Sequence, residues 1–402
     1  MIYRAFKDIK LSLLGMGNMR LPTIGEGFRA PVDYPKAEEI IEYVYNHGVN
    51  YFDTAYSYHG GDSEKVVGKV LKKYPRESWY LADKFNISVL KPGQKVKDIF
   101  EEQLARCSVD YFDFYLIHSV TDKSVDEYIQ LDKTQNMMAY LESEKEAGRI
   151  KYLGFSCHSS TEAMERFLNY YPRFNFVMLQ LNYADWKLQD AEGKYEILAK
   201  REIPVIAMEP CRGGKLATLG EEADARLKQE RPDDSIASWA FRYLQSLPNV
   251  YVILSGMSTL DQAKDNIKTL SESKPLTEKE KTLLLEVVTP ILTQTPCTSC
   301  RYCIEGGGCP QNLDIPKLLN EYNEYQFAKD VFSMWTILDM SPEELPACCT
   351  ACGQCVNVCP QSIDIPSIMT TLSGVVDELK ILAAKMFGSS THDTEEKTES
   401  AG

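Results

Sequence analysis

From Leu11 to about Leu270, short apolar runs alternate with stretches whose apolar residues recur every three or four positions. The runs are LLGMG (13–17), YFDTA (51–55), WYLADK (79–84), YFDFYLIH (111–118), YLGFSC (152–157), FVMLQL (176–181), PVIAMEP (204–210) and VYVILSG (250–256). Each is nearly continuously apolar, as a strand covered on both faces should be. Between them lie segments of helical period such as PKAEEIIEYVYNHG and TEAMERFLNYY. Eight strand–helix units in about 260 residues predict an α/β chain with a closed (β/α)8 TIM barrel over 1–274. A doubly wound open sheet is the alternative. It usually carries a glycine fingerprint after its first strand, and LGMGNMRLP is a weak match.

The pattern changes after the barrel. KPLTEKEKTLLLEVVTPILTQT (274–295) is polar and then helical, and reads as the link into a small cysteine-rich domain over 275–380. The remaining residues, 381–402, end in SSTHDTEEKTESAG and are expected to be a disordered tail. A formal net charge of −14 argues against nucleic acid or an anionic membrane surface as partner. No apolar run approaches the ~20 residues of a membrane span. The start, MIYRAFKDIK, lacks the apolar core of a secretory signal, so a cytoplasmic protein is expected.

Polar residues at the C-terminal ends of the predicted strands narrow the chemistry, because on a barrel those ends converge on one face. They are Asp53, with Tyr58 five residues on, Lys84 and His118. A tyrosine hydroxyl, with a pKa near ~10, is a poor acid at neutral pH. A lysine ammonium beside it favours the phenolate, and an aspartate holds the lysine charged. A histidine opposite can orient a substrate oxygen. The four groups together would present a proton donor to a carbonyl.

DTAYSY (53–58), LADKF (81–85) and YLIH (115–118) resemble the Asp–Tyr–Lys–His tetrad of the aldo-keto reductase superfamily. The resemblance continues through GFSCHS (154–159), LQLNYAD (179–185), EPCRGG (209–214) and LSGMSTLDQAKDN (254–266), and covers about residues 1–270. It implies Tyr58 as general acid, a small-molecule carbonyl substrate, and NADH or NADPH across the barrel mouth. Ser156 and Gln180 would hold the carboxamide. Glu209, Gly213, Gly214, Ser255, Gly256, Met257, Gln262 and Asn266 would line the rest of the cofactor, in the loops after the seventh and eighth strands. Two departures stand out. The stretch Gly256-Met257-Ser258 to Gln262 carries no cation for a 2′-phosphate, and Cys157 stands where an amide side chain often follows the serine.

Of twelve cysteines, Cys107, Cys157 and Cys211 precede residue 290 and nine lie between Cys297 and Cys359. Metal ligation is a better expectation than disulfides in a cytosolic chain. Cys297, Cys300 and Cys303 are followed by Cys309-Pro310; Cys349, Cys352 and Cys355 are followed by Cys359-Pro360. The second run has the spacing of bacterial two-cluster ferredoxins. Near-identical tails, PQNLDIP and PQSIDIP, mark an internal repeat. On the ferredoxin rule that the fourth cysteine ligates the other cluster, Cys297, Cys300, Cys303 and Cys359 hold one 4Fe-4S cluster. Cys349, Cys352, Cys355 and Cys309 hold the second. Zinc is the alternative occupant of such four-cysteine sets. Cys348 reads as a bystander.

The expected function is therefore carbonyl reduction or alcohol oxidation with a nicotinamide cofactor, joined to two fused clusters for electron transfer. The alternative is an electron-transfer or redox-sensing protein whose barrel binds nicotinamide or flavin without turnover. Nicotinamide passes a hydride and each cubane one electron, so coupling them normally needs a splitter such as flavin. No flavin fingerprint is legible, which leaves three readings: a flavin that binds without a motif, electron exchange with an external ferredoxin or flavoprotein, or clusters with a structural role.

Overall fold

The computed structural model describes residues 1–25, 30–292, 295, 297, 302–305, 308–359 and 363–387. The chain forms two compact units, Met1–Val288 and the chain from Thr289 onward.

In the first unit, β1 (Tyr3–Phe6) and β2 (Ile9–Ser12) form an antiparallel hairpin. Eight strands follow: β3 (Leu14–Gly17), β4 (Tyr51–Asp53), β5 (Tyr80–Phe85), β6 (Phe112–Val120), β7 (Ile150–Cys157), β8 (Phe176–Gln180), β9 (Val205–Met208) and β10 (Val250–Gly256). They close into a barrel in chain order, β10 pairing with β3. Every neighbouring pair is parallel. All eight coincide with the apolar runs of the sequence, and the expected TIM barrel is the fold.

Strand residues alternate between the barrel interior and the helix layer. Tyr51, Ala82, Phe114, Leu116, Tyr152, Phe176, Met178, Ile206, Val252 and Leu254 form one buried cluster inside. Gly154 belongs to the same inward series. A Cβ there would sit 2.6 Å from the Phe176 carbonyl oxygen and 2.7 Å from its ring, so only glycine leaves room for that phenyl group. The hairpin, which the periodicity does not reveal, closes the N-terminal pole. Phe6 and Leu11 are fully buried in the cluster, and the Phe6 ring lies 5.4 Å from Phe114, 5.1 Å from Tyr152 and 5.6 Å from Tyr251.

The outer helices start where hydroxyl caps stand after the strands. Thr121, Ser160 and Thr259 accept the amide bonds of Ser124, Ala163 and Gln262. The barrel unit also runs further than the polar stretch at 274 suggests. Helix Glu278–Leu292 is fastened to it by Arg231, whose Nε and Nη2 donate to Glu280 at 2.6 and 3.0 Å.

The second unit is helical, with Ile315–Ala328 and Ile365–Phe387 its longest elements. Its core gathers Leu313, Ile315, Leu318, Leu319, Met334, Ile337, Met369 and Leu372. The repeated DIP tripeptide has a local cause. Asp314 Oδ1 accepts the Lys317 amide at 3.3 Å, Asp364 Oδ1 accepts the Ser367 amide at 3.4 Å, and each following proline sits in the first helical turn, where its missing N–H is not needed. The start of the expected tail over 381–402 is helical. ILAAKMF extends the last helix through Phe387, because leucine, alanine, lysine and methionine are strong helix formers; residues beyond it lie outside the described set.

Phe6→Ala should lower the unfolding free energy of the barrel by about 3–5 kcal/mol, as expected for a large aromatic deleted from a packed core. Urea denaturation followed by far-UV circular dichroism checks this.

Candidate active site and cysteine cavity

The two-residue period of the strands carries the polar strand ends inward above the apolar cluster. Asp53 follows Tyr51, Lys84 follows Ala82, His118 follows Leu116, Ser156 follows Gly154 and Gln180 follows Met178, each by two residues on the same strand. The structure thus brings Asp53, Lys84 and His118 together at the C-terminal mouth. Tyr58 joins them from a tight turn, Tyr58–Gly61, in which His59 takes φ 51° and Gly61 φ 94° before the next helix begins. Lys84 Nζ is ion-paired with Asp53 Oδ1, donates to the Thr54 carbonyl at 2.8 Å and lies 3.3 Å from Tyr58 Oη. The Tyr58 and His118 rings meet edge to face with centroids 5.8 Å apart. Tyr128 Oη donates to the His118 carbonyl at 2.6 Å and fixes that strand end.

Burial dominates the electrostatics. It opposes the Lys84 charge, but Asp53 and Tyr58 together outweigh it and hold the ammonium protonated. Burial raises the Asp53 carboxyl, with Lys84 pulling the other way. Burial also raises Tyr58 above its ordinary value, overriding the lowering by Lys84 that the sequence suggests. The phenol is therefore protonated at neutral pH. Burial, with Lys84 and His158, drives His118 well below the usual imidazole range, so it is neutral. Among the described residues, the buried His118 Nδ1 and Asp53 Oδ2 have no hydrogen-bond partner.

Ser156 and Gln180 stand at the same mouth. Ser156 Oγ accepts the Ser119 amide at 2.7 Å, and Gln180 Nε2 donates to Asp185 Oδ2 at 3.0 Å. Asp185, fully buried, also takes Asn182 Nδ2 at 2.6 Å and Arg212 Nε at 3.0 Å, tying the loop after β8 to the loop after β9. In that second loop Glu209 Oε2 accepts the Gly213 amide at 2.5 Å, and Gly213 and Gly214 take φ 65° and 96°. Gly256 is exposed at the end of β10. The other four predicted cofactor residues are turned to structural contacts. Met257 is fully buried, Asn266 Nδ2 donates to Ser255 Oγ at 3.1 Å inside the wall, and Gln262 Oε1 caps the helix start by accepting the Ser258 amide at 2.8 Å.

Two residues escape the sequence reading. Arg20, from the loop after β3, lies across both glycine loops. A Cβ on Gly256 would touch its side chain at 3.2 Å, and one on Gly213 would lie 2.9 Å from its Nη2. Arg20 thus brings a cation to the loop after β10, whose stretch Gly256–Gln262 has none of its own, and the only hint was a lone charge after the first barrel strand. His158, two residues beyond Ser156, is solvent-exposed; loss of hydration against the surrounding protein, with Lys194 adding, pushes its pKa down to about 4.

In the second unit, Cys309, Cys349, Cys352 and Cys355 line one cavity together with Leu313, Ile315 and Met369. Those four sulfurs come from both halves of the repeat, the grouping expected from the ferredoxin rule. Of the other predicted set, Cys303 is buried and Cys297 and Cys359 pack against the same core, while Cys300 lies outside the described residues. The Cys348 thiol donates to the Pro342 carbonyl at 3.2 Å.

Comparison with known proteins agrees with both halves. Residues 13–288 match the Aldo/keto reductase family and residues 296–363 match the 4Fe-4S dicluster domain. The chain is 25% identical over 312 residues to the uncharacterized oxidoreductase YqkF of Bacillus subtilis, a match covering 68% of this chain and 91% of that protein. It is 24% identical to L-galactose dehydrogenase of Arabidopsis thaliana, over 68% of this chain and 92% of that one. It is 23% identical to the NADH-specific methylglyoxal reductase of Escherichia coli, over 70% of this chain and 95% of that one. Among solved structures, the holo form of an aldo-keto reductase from Bacillus halodurans superposes with a TM-score of 0.57 at 26% identity, covering 71% of this chain and 96% of that one. The chain belongs to the aldo/keto reductase family of oxidoreductases, with a 4Fe-4S dicluster domain following the barrel.

Proposed function

We propose that the barrel reduces the carbonyl of a small molecule, or oxidises the matching alcohol, with NADH or NADPH, and that Tyr58 is its general acid. The observation that carries this reading is the contact of Lys84 Nζ with both Asp53 and Tyr58 Oη. When bound, the nicotinamide supplies or accepts the hydride. Tyr58 Oη gives its proton to the carbonyl oxygen, and the Lys84 ammonium stabilises the phenolate left behind. Asp53 keeps Lys84 charged and in place. Neutral His118 hydrogen-bonds the same oxygen and orients it without adding charge. Relatives named for reducing methylglyoxal and for dehydrogenating L-galactose support both directions of this chemistry.

The loops fit a dinucleotide. Exposed glycines at positive φ let the backbone approach a pyrophosphate, and Arg20 offers it a cation. On this reading Ser156 and Gln180 hold the carboxamide and Glu209, Gly213, Gly214 and Gly256 border the phosphates. Ser255, Met257, Gln262 and Asn266 keep the last loop in shape. In the dicluster domain, Cys309, Cys349, Cys352 and Cys355 hold one 4Fe-4S cluster, and Cys297, Cys300, Cys303 and Cys359 hold the other. The clusters supply single-electron exchange with an external ferredoxin or flavoprotein.

Tyr58→Phe should lower kcat/KM for carbonyl reduction by roughly 10²–10⁴-fold while the visible absorbance of the clusters stays as in the parent; unchanged turnover overturns the assignment. Because the folded Tyr58 pKa lies above its ordinary value, the acid form persists through neutral pH. Reduction should therefore be flat there, and alcohol oxidation, which needs the phenolate, should climb toward alkaline pH. Initial rates in both directions across pH decide this. Cys309→Ser should remove the cluster of the Cys349–Cys355 run and halve the iron and sulfide content of anaerobically purified protein; a full complement of iron counts against the shared cage.

A further inference from the structure

Behind Lys84, in the helix layer, lies a second set of buried titratable groups that the tetrad does not use. Glu64 from helix Asp62–Leu71, Asp83 from β5 and Cys107 from helix Val96–Cys107 are all fully buried. One ligand atom from each lies within 4.8 Å of the other two. Their partners are unevenly divided. Arg106 Nη1 donates to Glu64 Oε2 at 2.8 Å while its Nη2 serves Glu102 Oε1 at 2.6 Å. Among the described residues, Asp83 receives only neutral donors: the Lys84 amide at 2.7 Å, Gln103 Nε2 at 2.8 Å and the Cys107 thiol at 3.5 Å. Gln103 Nε2 also donates to the Lys84 carbonyl at 3.0 Å, so Asp83 and Gln103 bracket the Lys84 main chain. Glu64 Oε1, sealed from water, has no donor among the described residues.

Two ionised carboxylates this close in a dry wall repel each other, and one guanidinium divided with Glu102 does not balance both. The Lys84 ammonium is committed to Asp53 on the other side of the strand. A single proton between the two acids removes the repulsion and gives Glu64 Oε1 its missing donor. We infer that Glu64 and Asp83 share one proton through the neutral range, and that this pair with Gln103 is a positioning clamp on the Lys84 main chain. The clamp, though not the shared proton, rests on reading Lys84 as part of the active site.

Every neighbouring group is consistent with that state. Burial, with Glu64 adding, pushes the Asp83 carboxyl well up, and burial raises Glu64 against the pull of Arg106. Burial and the same two acids push the Cys107 thiol well up, so it is a donor and not a thiolate. Tyr115 on β6, a phenol that burial also pushes well up, donates to Gln103 Oε1 at 2.6 Å, and Tyr56 donates to Glu102 Oε2 at 2.9 Å. Zinc in this place would need a thiolate and a further donor beside Arg106.

The proton belongs to the pair, and it has a measurable sign. The folded pKa exceeds that of an unfolded carboxyl, so the contribution is fully present below about pH 4 and fades as pH rises toward the folded value. Over that window the unfolding constant of the clustered, full-length protein should carry one extra proton, about tenfold per pH unit. Glu64→Gln supplies the donor permanently and should remove that slope; Asp83→Asn should do so from the other side. The infrared spectrum of the unsubstituted protein at pH 7 should show a buried protonated-carboxyl band that Glu64→Gln abolishes. Absence of that band, or equal slopes in all three proteins, overturns the shared proton, as does one tightly held zinc lost in Cys107→Ser. The spectrum of the parent decides the matter even where a variant fails to fold. For the clamp, Gln103→Leu should lower kcat severalfold with KM unchanged; lowered stability with kcat intact overturns it. Turnover surviving in Tyr58→Phe removes the active-site reading while leaving the infrared result to stand alone.

Discussion

An ammonium group sealed inside the top of a barrel must spend each of its three protons on an acceptor, because burying a charge without partners is prohibitive. Lys84, 1% exposed, meets this demand with the Asp53 carboxylate, the Thr54 carbonyl and the Tyr58 hydroxyl. The phenol is thereby part of the solvation of the lysine as well as a candidate acid. Asp53 is equally constrained, since removing either member of a buried pair leaves a stranded charge at a penalty of roughly 3–5 kcal/mol. Tyr58 opens the turn Tyr58–Gly61, whose left-handed His59 and Gly61 lead the chain into the next helix.

Much of this arrangement is legible in the amino-acid sequence. Strands buried on both faces leave continuous apolar runs, and a polar residue interrupting such a run at its end is conspicuous. That is why Asp53, Lys84, His118, Ser156 and Gln180 stand out along the chain. The hairpin is hidden for the opposite reason. Its strands are four residues long, and its turn places Lys7 at φ 51° with no glycine or asparagine to mark the site. Arg20 is illegible because nothing local says that the loop after β3 folds across loops more than 190 residues away at Gly213 and Gly256. The balance at Tyr58 is misjudged from sequence because adjacency to a cation is written in the chain, whereas the degree of dehydration is not.

The Glu64–Asp83–Cys107 group is a further case of chemistry assembled by packing alone. No spacing announces it. Its members meet because Gly68 lets helix Asp62–Leu71 lie against the end of helix Val96–Cys107; a Cβ at that glycine would stand 2.1 Å from the Cys107 carbonyl oxygen. A close approach of two helix backbones thus leaves no space for water around the acids, and the polar groups must satisfy one another.

The cavity of the second unit draws Cys309 from the first half of the repeat and Cys349, Cys352 and Cys355 from the other. A chamber with walls from both ends of a module cannot be finished piecemeal as the chain leaves the ribosome. The earlier half must wait, thiols exposed, until the later one has been synthesised and has folded back. On the proposed ligation, oxygen or stray metal meeting the nascent chain in that interval would find half-built ligand sets.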